Sequence, residues 1–223
     1  MKHTEKEILL LKEQINDMWS LVISQLEKAK QSFLTGDVEL AREIVSREKR
    51  VNVYELKIDN DCENFIALYN PVAIDLRFVL SLIKISSALE RIGDFAEGFA
   101  KFVIDEDCNN IDRELIDQLK IEKMFDTIIG MLYDCYVTLE SENTKISGKI
   151  LARDEIVNKI YLKSIGVLSD YCKANPDFIN CGFKVFLLIR KLERVGDHCS
   201  NIVEEIVFYI DAKILKHGNL KID

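Results

Sequence analysis

The sequence predicts an all-α protein built as two similar bundles, each of three long antiparallel helices. Its 223 residues include only two prolines and nine glycines, too few turns for a barrel, a sandwich or a doubly wound sheet. Hydrophobic residues make up 48% of the chain and follow the spacing of helices rather than the alternation of strands. Six helices of about 30 residues with short connections divide naturally into two bundles of three.

Residues that begin or break helices set the predicted boundaries. Asp37, Asn110 and Asp177 suit N-cap positions, and Pro71 suits the first position of a helix, where its missing N–H costs nothing. The six predicted helices span residues 4–34, 37–69, 71–105, 111–140, 144–174 and 177–214.

An internal repeat supports the division into two halves. The hexapeptide Leu-Glu-Arg-Ile-Gly-Asp at residues 89–94 recurs as Leu-Glu-Arg-Val-Gly-Asp at residues 192–197, an offset of 103 residues. Each copy lies near the same place in the third predicted helix of its half. We therefore expect residues 1–108 to form the first bundle and residues 109–223 the second.

Charge and composition exclude several classes of function. The net charge of −8 opposes binding to nucleic acid. The charged first residues do not form a signal peptide, and no stretch approaches the about 18 apolar residues that a spanning helix needs. The six cysteines include no CxxC pair, which favours reduced core thiols. We expect a cytoplasmic protein with no membrane insertion.

The repeated acids lie on polar stripes within otherwise apolar helix faces. At 100° per residue, Glu90, Gly93 and Asp94 share one stripe of the third predicted helix with apolar residues that precede them. The second predicted helix carries a similar stripe, apolar at both ends and polar at Glu48, Asn52, Glu55 and Asp59.

Stacked carboxylates repel each other, so these stripes need a counter-charge. A hard cation such as Mg²⁺, Mn²⁺, Ca²⁺ or iron would supply it, and so would lysine or arginine from a facing helix. Gly93 and Gly196 favour a special site, because glycine costs about 1 kcal/mol in mid-helix and would leave clearance for an ion or another backbone. The alternative is a solvated face with Arg91 and Arg194 as counter-ions. His198 is interpreted as a core or surface histidine and not as a ligand.

With LERxGD present once in each half, the sequence resembles the PhoU family of phosphate-uptake regulators. The segment at residues 71–77, Pro-Val-Ala-Ile-Asp-Leu-Arg, is similar to the family's PxAxDLR segment, and the resemblance covers essentially the whole chain. It implies two similar three-helix bundles. It also implies metal clusters, found in some members, that are bound through E(D)xxxD motifs on the bundle surface.

The resemblance implies a particular set of metal ligands, with Fe, Mn, Mg or Zn as the ion. Asn52 and Asn158 depart from the family pattern, which often places aspartate there, and a neutral amide oxygen is a weaker ligand for a hard cation. The implied positions are Glu48, Asn52, Glu90 and Asp94 in the first half and Asp154, Asn158, Glu193 and Asp197 in the second.

The function implied by the resemblance is negative regulation of phosphate uptake and phosphate signalling. Such a protein is a homodimeric adapter, without catalysis, between the ATPase subunit of a phosphate ABC transporter and a sensor histidine kinase. One alternative is a metal-dependent phosphoester hydrolase that uses the same carboxylate clusters. A second alternative is an interaction module that keeps the fold and binds no metal.

Overall fold

The structure, a computed structural model, describes residues 3–105, 108 and 111–215. These residues form α-helices, short 3₁₀ helices and connections, with no strand among them. The all-α prediction is therefore confirmed. Among the described residues, the α-helices are α1 (His3–Thr35), α2 (Val38–Tyr69), α3 (Ala73–Ile104), α4 (Arg113–Leu119), α5 (Ile121–Glu140), α6 (Ser147–Ala174) and α7 (Ile179–Asp211).

Helix starts agree with the predictions in part. The Asp37 carboxylate caps α2 by accepting a hydrogen bond from the Leu40 N–H at 2.9 Å, as predicted. Pro71 does not begin α3, because Val72 stays extended as the N-cap and the helix starts two residues after the proline. Asp177 does not cap α7, since it lies inside a 3₁₀ helix, Pro176–Phe178, that precedes Ile179.

The start of the second half also differs. Asn110 lies outside the described residues, and Asp112 caps α4 by accepting from the Glu114 N–H at 2.9 Å. A 3₁₀ helix, Thr144–Ile146, leads into α6. At the other end, α7 stops at Asp211, three residues before its predicted end.

The prediction of one helix over residues 111–140 is wrong, because the chain turns at Lys120. This residue adopts the left-handed conformation, with φ 54° and ψ 35°, and separates α4 from α5. Leu119 and Ile121 are both fully buried, although residues two apart in a continuous helix project about 200° from each other. The turn at Lys120 allows the apolar faces of α4 and α5 both to pack on the core.

The helices form two groups of neighbours that share one core. In the first half α1, α2 and α3 pack together, and in the second half α5, α6 and α7 do so. Contacts of α3 with α7 and of α1 with α5 join the halves. At the junction, the Phe99 and Phe125 rings meet edge to face, 4.9 Å apart. The boundary between residues 108 and 109 stays a prediction.

None of the described helices combines the length and the apolar composition needed to cross a membrane.

Candidate metal centre

The two copies of the repeat lie on α3 and α7, and each faces the preceding helix of its own half. The glycine of each copy marks a close approach. A Cβ added at Gly196 would lie 2.6 Å from the Asp154 Oδ1 on α6. One added at Gly93 would lie 3.3 Å from Val51 on α2 and 3.3 Å from the Gln25 Oε1 on α1. Side chains of the facing helices thus lie beside both glycines, and the clearance for an ion or another backbone stays a prediction.

The first cluster of acids joins α2 to α3. The pKa of Glu90 is raised, first because the carboxyl is partly buried and then by the negative charges of Asp94, Glu55 and Glu48. The pKa of Glu55 is also raised, mainly by burial. The structure thus brings together acids that lie about 40 residues apart in the chain. Their mutual repulsion is the electrostatic condition that a cation would relieve.

Arg91 supplies part of the counter-charge in the first cluster. Its Nε lies 3.6 Å from the Glu90 Oε2, and its Nη1 lies 3.9 Å from the Asp94 Oδ2. Because the Arg91 side chain is 60% exposed and both distances are long, these pairs contribute little stability. The counter-ion interpretation therefore explains only part of the neutralisation.

The second cluster joins α6 to α7 and is more deeply buried at its centre. Burial, followed by the charges of Asp197 and Glu193, raises the pKa of Asp154 to about 6. The Asn158 Nδ2 donates a hydrogen bond to the Asp154 Oδ2 at 3.3 Å. Within the described chain, no arginine or lysine lies within 4 Å of Asp154, Glu193 or Asp197. Burial raises the pKa of Glu193 and of Asp197, and the charge of Arg194, at longer range, opposes both increases.

Oxygen atoms without hydrogen-bond partners lie in both clusters. The Asn52 Oδ1 in the first half and the Asp154 Oδ1 and Asn158 Oδ1 in the second are buried and accept no hydrogen bond from the described residues. A buried acceptor left unpaired costs about 1–3 kcal/mol, so each such atom calls for a partner. A hard cation or an ordered water would provide one.

The donor set fits a hard cation in its chemistry, since it consists of carboxylate and amide oxygens. However, within residues 3–105, 108 and 111–215 no three carboxylate, thiol or imidazole groups are arranged to hold one metal ion. An ion at either cluster would therefore draw on the asparagine oxygens and on water as well as on the acids. Most residues of the two clusters are half-buried, and Asp197 is exposed.

Gln25 is a site residue that sequence reasoning missed. Its side chain on α1 is only 2% exposed, faces Gly93, and has neither its Oε1 nor its Nε2 hydrogen-bonded within the described chain. The signal in the sequence was a polar amide side chain close to the apolar residues Val22, Ile23 and Leu26, which are all buried. A third helix thus contributes a polar group beside the first cluster.

His198 packs away from the acids of its own half. Its ring lies 5.8 Å from the Phe95 ring of α3, and burial, followed by the charges of Arg194 and Arg91, lowers its pKa. A neutral imidazole between the two halves is a packing group. The structure thus gives His198 a place in the junction.

Comparisons with known proteins agree over nearly the whole chain. The profile of the PhoU domain matches residues 15–103 and 121–206, one segment in each half. A Borreliella burgdorferi protein named phosphate-specific transport system accessory protein PhoU homolog is 32% identical over 207 residues, covering 91% of this chain and 92% of the relative. The Escherichia coli K12 accessory protein PhoU is 28% identical over 211 residues, with 95% and 86% coverage.

Solved structures are similar over the same extent. The fold superposes on PhoU from Pseudomonas aeruginosa with a TM-score of 0.84 and 23% identity, covering 94% of this chain and 99% of the other. It superposes on the phosphate transport system regulatory protein PhoU from Streptococcus pneumoniae with a TM-score of 0.82 and 27% identity, with 95% and 99% coverage.

Proposed function

Because this chain belongs to the PhoU family, we propose that it is a negative regulator of phosphate uptake and phosphate signalling. The observation that carries the proposal is similarity across both halves to relatives named phosphate-specific transport system accessory proteins. The similarity extends over both halves of the chain, so it covers the whole two-half architecture.

The proposed mode of action is that of a cytoplasmic homodimeric adapter. It contacts the ATPase subunit of a phosphate ABC transporter and a sensor histidine kinase, and it restrains both when phosphate is plentiful. Large apolar side chains exposed on the helix faces support a role in protein contacts. They include Val53 and Leu56 on α2, Leu162 on α6 and Phe183 on α7, each more than 60% exposed.

Metal ions are proposed at the two acid clusters. The first would be held by Glu48, Asn52, Glu90 and Asp94, and the second by Asp154, Asn158, Glu193 and Asp197. Each ion would neutralise the facing carboxylates and tie two neighbouring helices together, which stabilises the surface without performing a reaction. The unpaired amide and carboxylate oxygens support this assignment.

Metal content tests the proposed sites directly. Chelator-treated protein is dialysed against Mn²⁺ or Fe²⁺, and the bound metal is measured by mass spectrometry. We expect at least one ion per cluster. A variant that combines Glu90→Gln, Asp94→Asn, Glu193→Gln and Asp197→Asn should retain almost none. Equal retention by the variant and the unaltered protein would contradict the proposal.

Replacing Gly196 by alanine, which adds a single methyl group, should weaken metal binding without unfolding the protein. Alanine raises helix propensity by about 1 kcal/mol, while its Cβ forces the Asp154 carboxylate, a movable side-chain end, to shift. We expect Gly196→Ala to keep its stability within about 1 kcal/mol of the unaltered protein and to lose roughly tenfold in metal affinity at the second cluster.

The matched control is Gly166→Ala on α6, where an added Cβ meets nothing within 4 Å. It should gain about 0.5–1 kcal/mol of stability from helix propensity and bind metal unchanged. Thermal unfolding and metal titration measure the two properties separately. If both alanine variants bind metal equally well, the position of Asp154 has no part in binding.

Phosphate uptake in living cells tests the regulatory role. Deleting the gene for this protein should raise phosphate uptake and kinase-dependent transcription in phosphate-rich medium. Restoring the gene should reverse both effects. Purified protein supplied with Mn²⁺ or Mg²⁺ should hydrolyse no phosphoester. Uptake that is unaffected by deletion would contradict the regulatory proposal, and metal-dependent turnover would favour the hydrolase alternative.

A further inference from the structure

A groove rich in cationic side chains lies between α3 of the first half and α7 of the second. It has a volume of about 460 Å³, which lies in the range of about 300–1,000 Å³ typical of small-molecule sites. Such a concentration of positive charge is a local exception in a chain with a net charge of −8. The cations that line the groove are Lys101 on α3 and Lys184, Arg190, Lys191 and Arg194 on α7.

Carboxylates neutralise two of these five cations. The Lys101 Nζ lies 2.6 Å from the Glu97 Oε2, one turn earlier on α3. The Lys184 Nζ lies 2.7 Å from the Asp105 Oδ2, which is itself part of the groove lining. These two pairs leave the remaining cations to determine the net charge of the groove.

The other three cations lack ion pairs. In the part of the chain that the structure describes, no carboxylate lies within 4 Å of the charged nitrogens of Arg190, Lys191 or Arg194. The Arg194 guanidinium stays at the groove, 5.7 Å from the centre of the Phe95 ring that also lines it. At longer range, Glu193 interacts with Arg190 and Arg194, and Asp94 and Glu97 interact with Lys191. The groove therefore presents three cations that form no direct ion pair.

Lys191 is set into the floor of the groove. Its side chain is half-buried against α3, and a Cβ added at Gly98 would collide with its Nζ, so the absence of a side chain at Gly98 makes room for the ammonium group. Partial burial of an unpaired cation is unfavourable, and a bound anion would offset that cost.

The internal repeat shows that most of the α7 cations in the groove have no cationic equivalent in the first half. Positions 103 residues earlier in the chain are neutral for three of the four α7 cations. The equivalents of Lys184, Arg190 and Lys191 are Ser81, Ser87 and Ala88. Three of the four α7 cations are therefore specific to the second half.

We propose that this groove binds a small phosphoryl anion, either inorganic phosphate or the phosphate group of a small phosphoester. Arg190 and Arg194 offer planar guanidinium groups suited to bidentate contacts with phosphate oxygens, and Lys191 adds a point charge from below. A phosphoryl group with two negative charges is a better match for three unpaired cations than a carboxylate, which carries one. The proposal does not depend on the metal sites or on the regulatory role.

Calorimetric titration of chelator-treated protein tests the proposal, because removal of metal excludes phosphate binding through an ion. Inorganic phosphate and adenosine monophosphate are titrated separately, with chloride as the reference anion. We expect one site per chain for at least one phosphate compound. Arg190→Gln combined with Lys191→Met should weaken that binding at least tenfold, since it removes two of the three unpaired charges.

A matched control removes the same charge elsewhere. Lys159→Gln with Lys173→Gln alters two α6 side chains that are 72% and 73% exposed, and it should leave binding unchanged. Asp105→Asn should instead tighten binding severalfold, because it removes a negative charge from the groove lining. A general loss of structure would weaken binding in both groove variants. It would not produce weaker binding in the Arg190 and Lys191 variant and tighter binding in Asp105→Asn.

Each outcome decides the proposal. Binding of inorganic phosphate identifies the free anion as a ligand, whereas binding of adenosine monophosphate alone identifies a phosphoester. Absence of binding by both, or equal losses in the groove and control variants, overturns the proposal. If the Arg190 and Lys191 variant fails to fold by circular dichroism, the Asp105→Asn titration decides: unchanged or weaker binding overturns the proposal.

Discussion

Replacing Glu90 by Gln and Asp94 by Asn should weaken the binding of divalent metal more than the equivalent change of Glu193 and Asp197 does. Affinity for a hard cation rises with the number of negative ligands. The second half has Tyr161 and Ile165 at the positions equivalent to two first-half acids. The first half offers Glu48, Glu55, Asp59, Glu90 and Asp94, and the second offers Asp154, Glu193 and Asp197.

We expect losses of roughly a hundredfold in the first half and roughly tenfold in the second. Arg91 does not reverse this ranking, because its exposed and long ion pairs with Glu90 and Asp94 subtract little from the charge available to an ion. Metal titration of the two double variants measures both losses. Equal losses, or metal at the second half alone, would show that the number of carboxylates does not set the affinity.

Trp19→Ala should cause the largest loss of stability among single core substitutions. Trp19 is completely buried on α1, its Nε1 donates a hydrogen bond to the Leu132 carbonyl oxygen of α5 at 3.2 Å, and its ring lies 5.8 Å from that of Tyr136. Removing the indole leaves a cavity where the two halves meet. We expect a decrease of about 3–5 kcal/mol in the free energy of unfolding.

The free energy of unfolding of a folded domain is typically about 5–15 kcal/mol, so such a loss is a large share of it. Urea unfolding should be followed by circular dichroism, because Trp19 is the only tryptophan and the variant has no indole fluorescence. Leu56→Ala, at a side chain 69% exposed, is the control and should change stability by less than about 0.5 kcal/mol. A Trp19→Ala variant as stable as this control would mean that the halves do not depend on the α1–α5 contact.

Sequence reasoning was most successful where the signal repeats along the chain. Helical spacing and scarce breakers predicted the all-α class, and the LERxGD repeat predicted the placement of equivalent acids in the two halves. The turn at Lys120 was missed because neither glycine nor proline marks it. Its signal is a change of phase, in which Leu119 and Ile121 are both apolar although only two residues apart.

The parts of the site that could not be predicted depend on packing between distant segments. Helical stripes placed Glu48 and Glu90 on their helices, but they could not show that Gln25 of a third helix faces Gly93. The stripes also could not show what fills the space beside Gly196. That space contains the Asp154 carboxylate, whose approach depends on how α6 packs against α7.

Co-purification from native cells tests the central claim, which is that this chain acts as a regulatory adapter of phosphate transport. The protein is isolated under mild conditions from cells grown in phosphate-rich medium, and its partners are identified by mass spectrometry. We expect recovery of the ATPase subunit of a phosphate ABC transporter and of a sensor histidine kinase, and we expect neither with an unrelated acidic helical protein as the control. Recovery of neither, with the transporter and the kinase present in the starting extract, would contradict the claim.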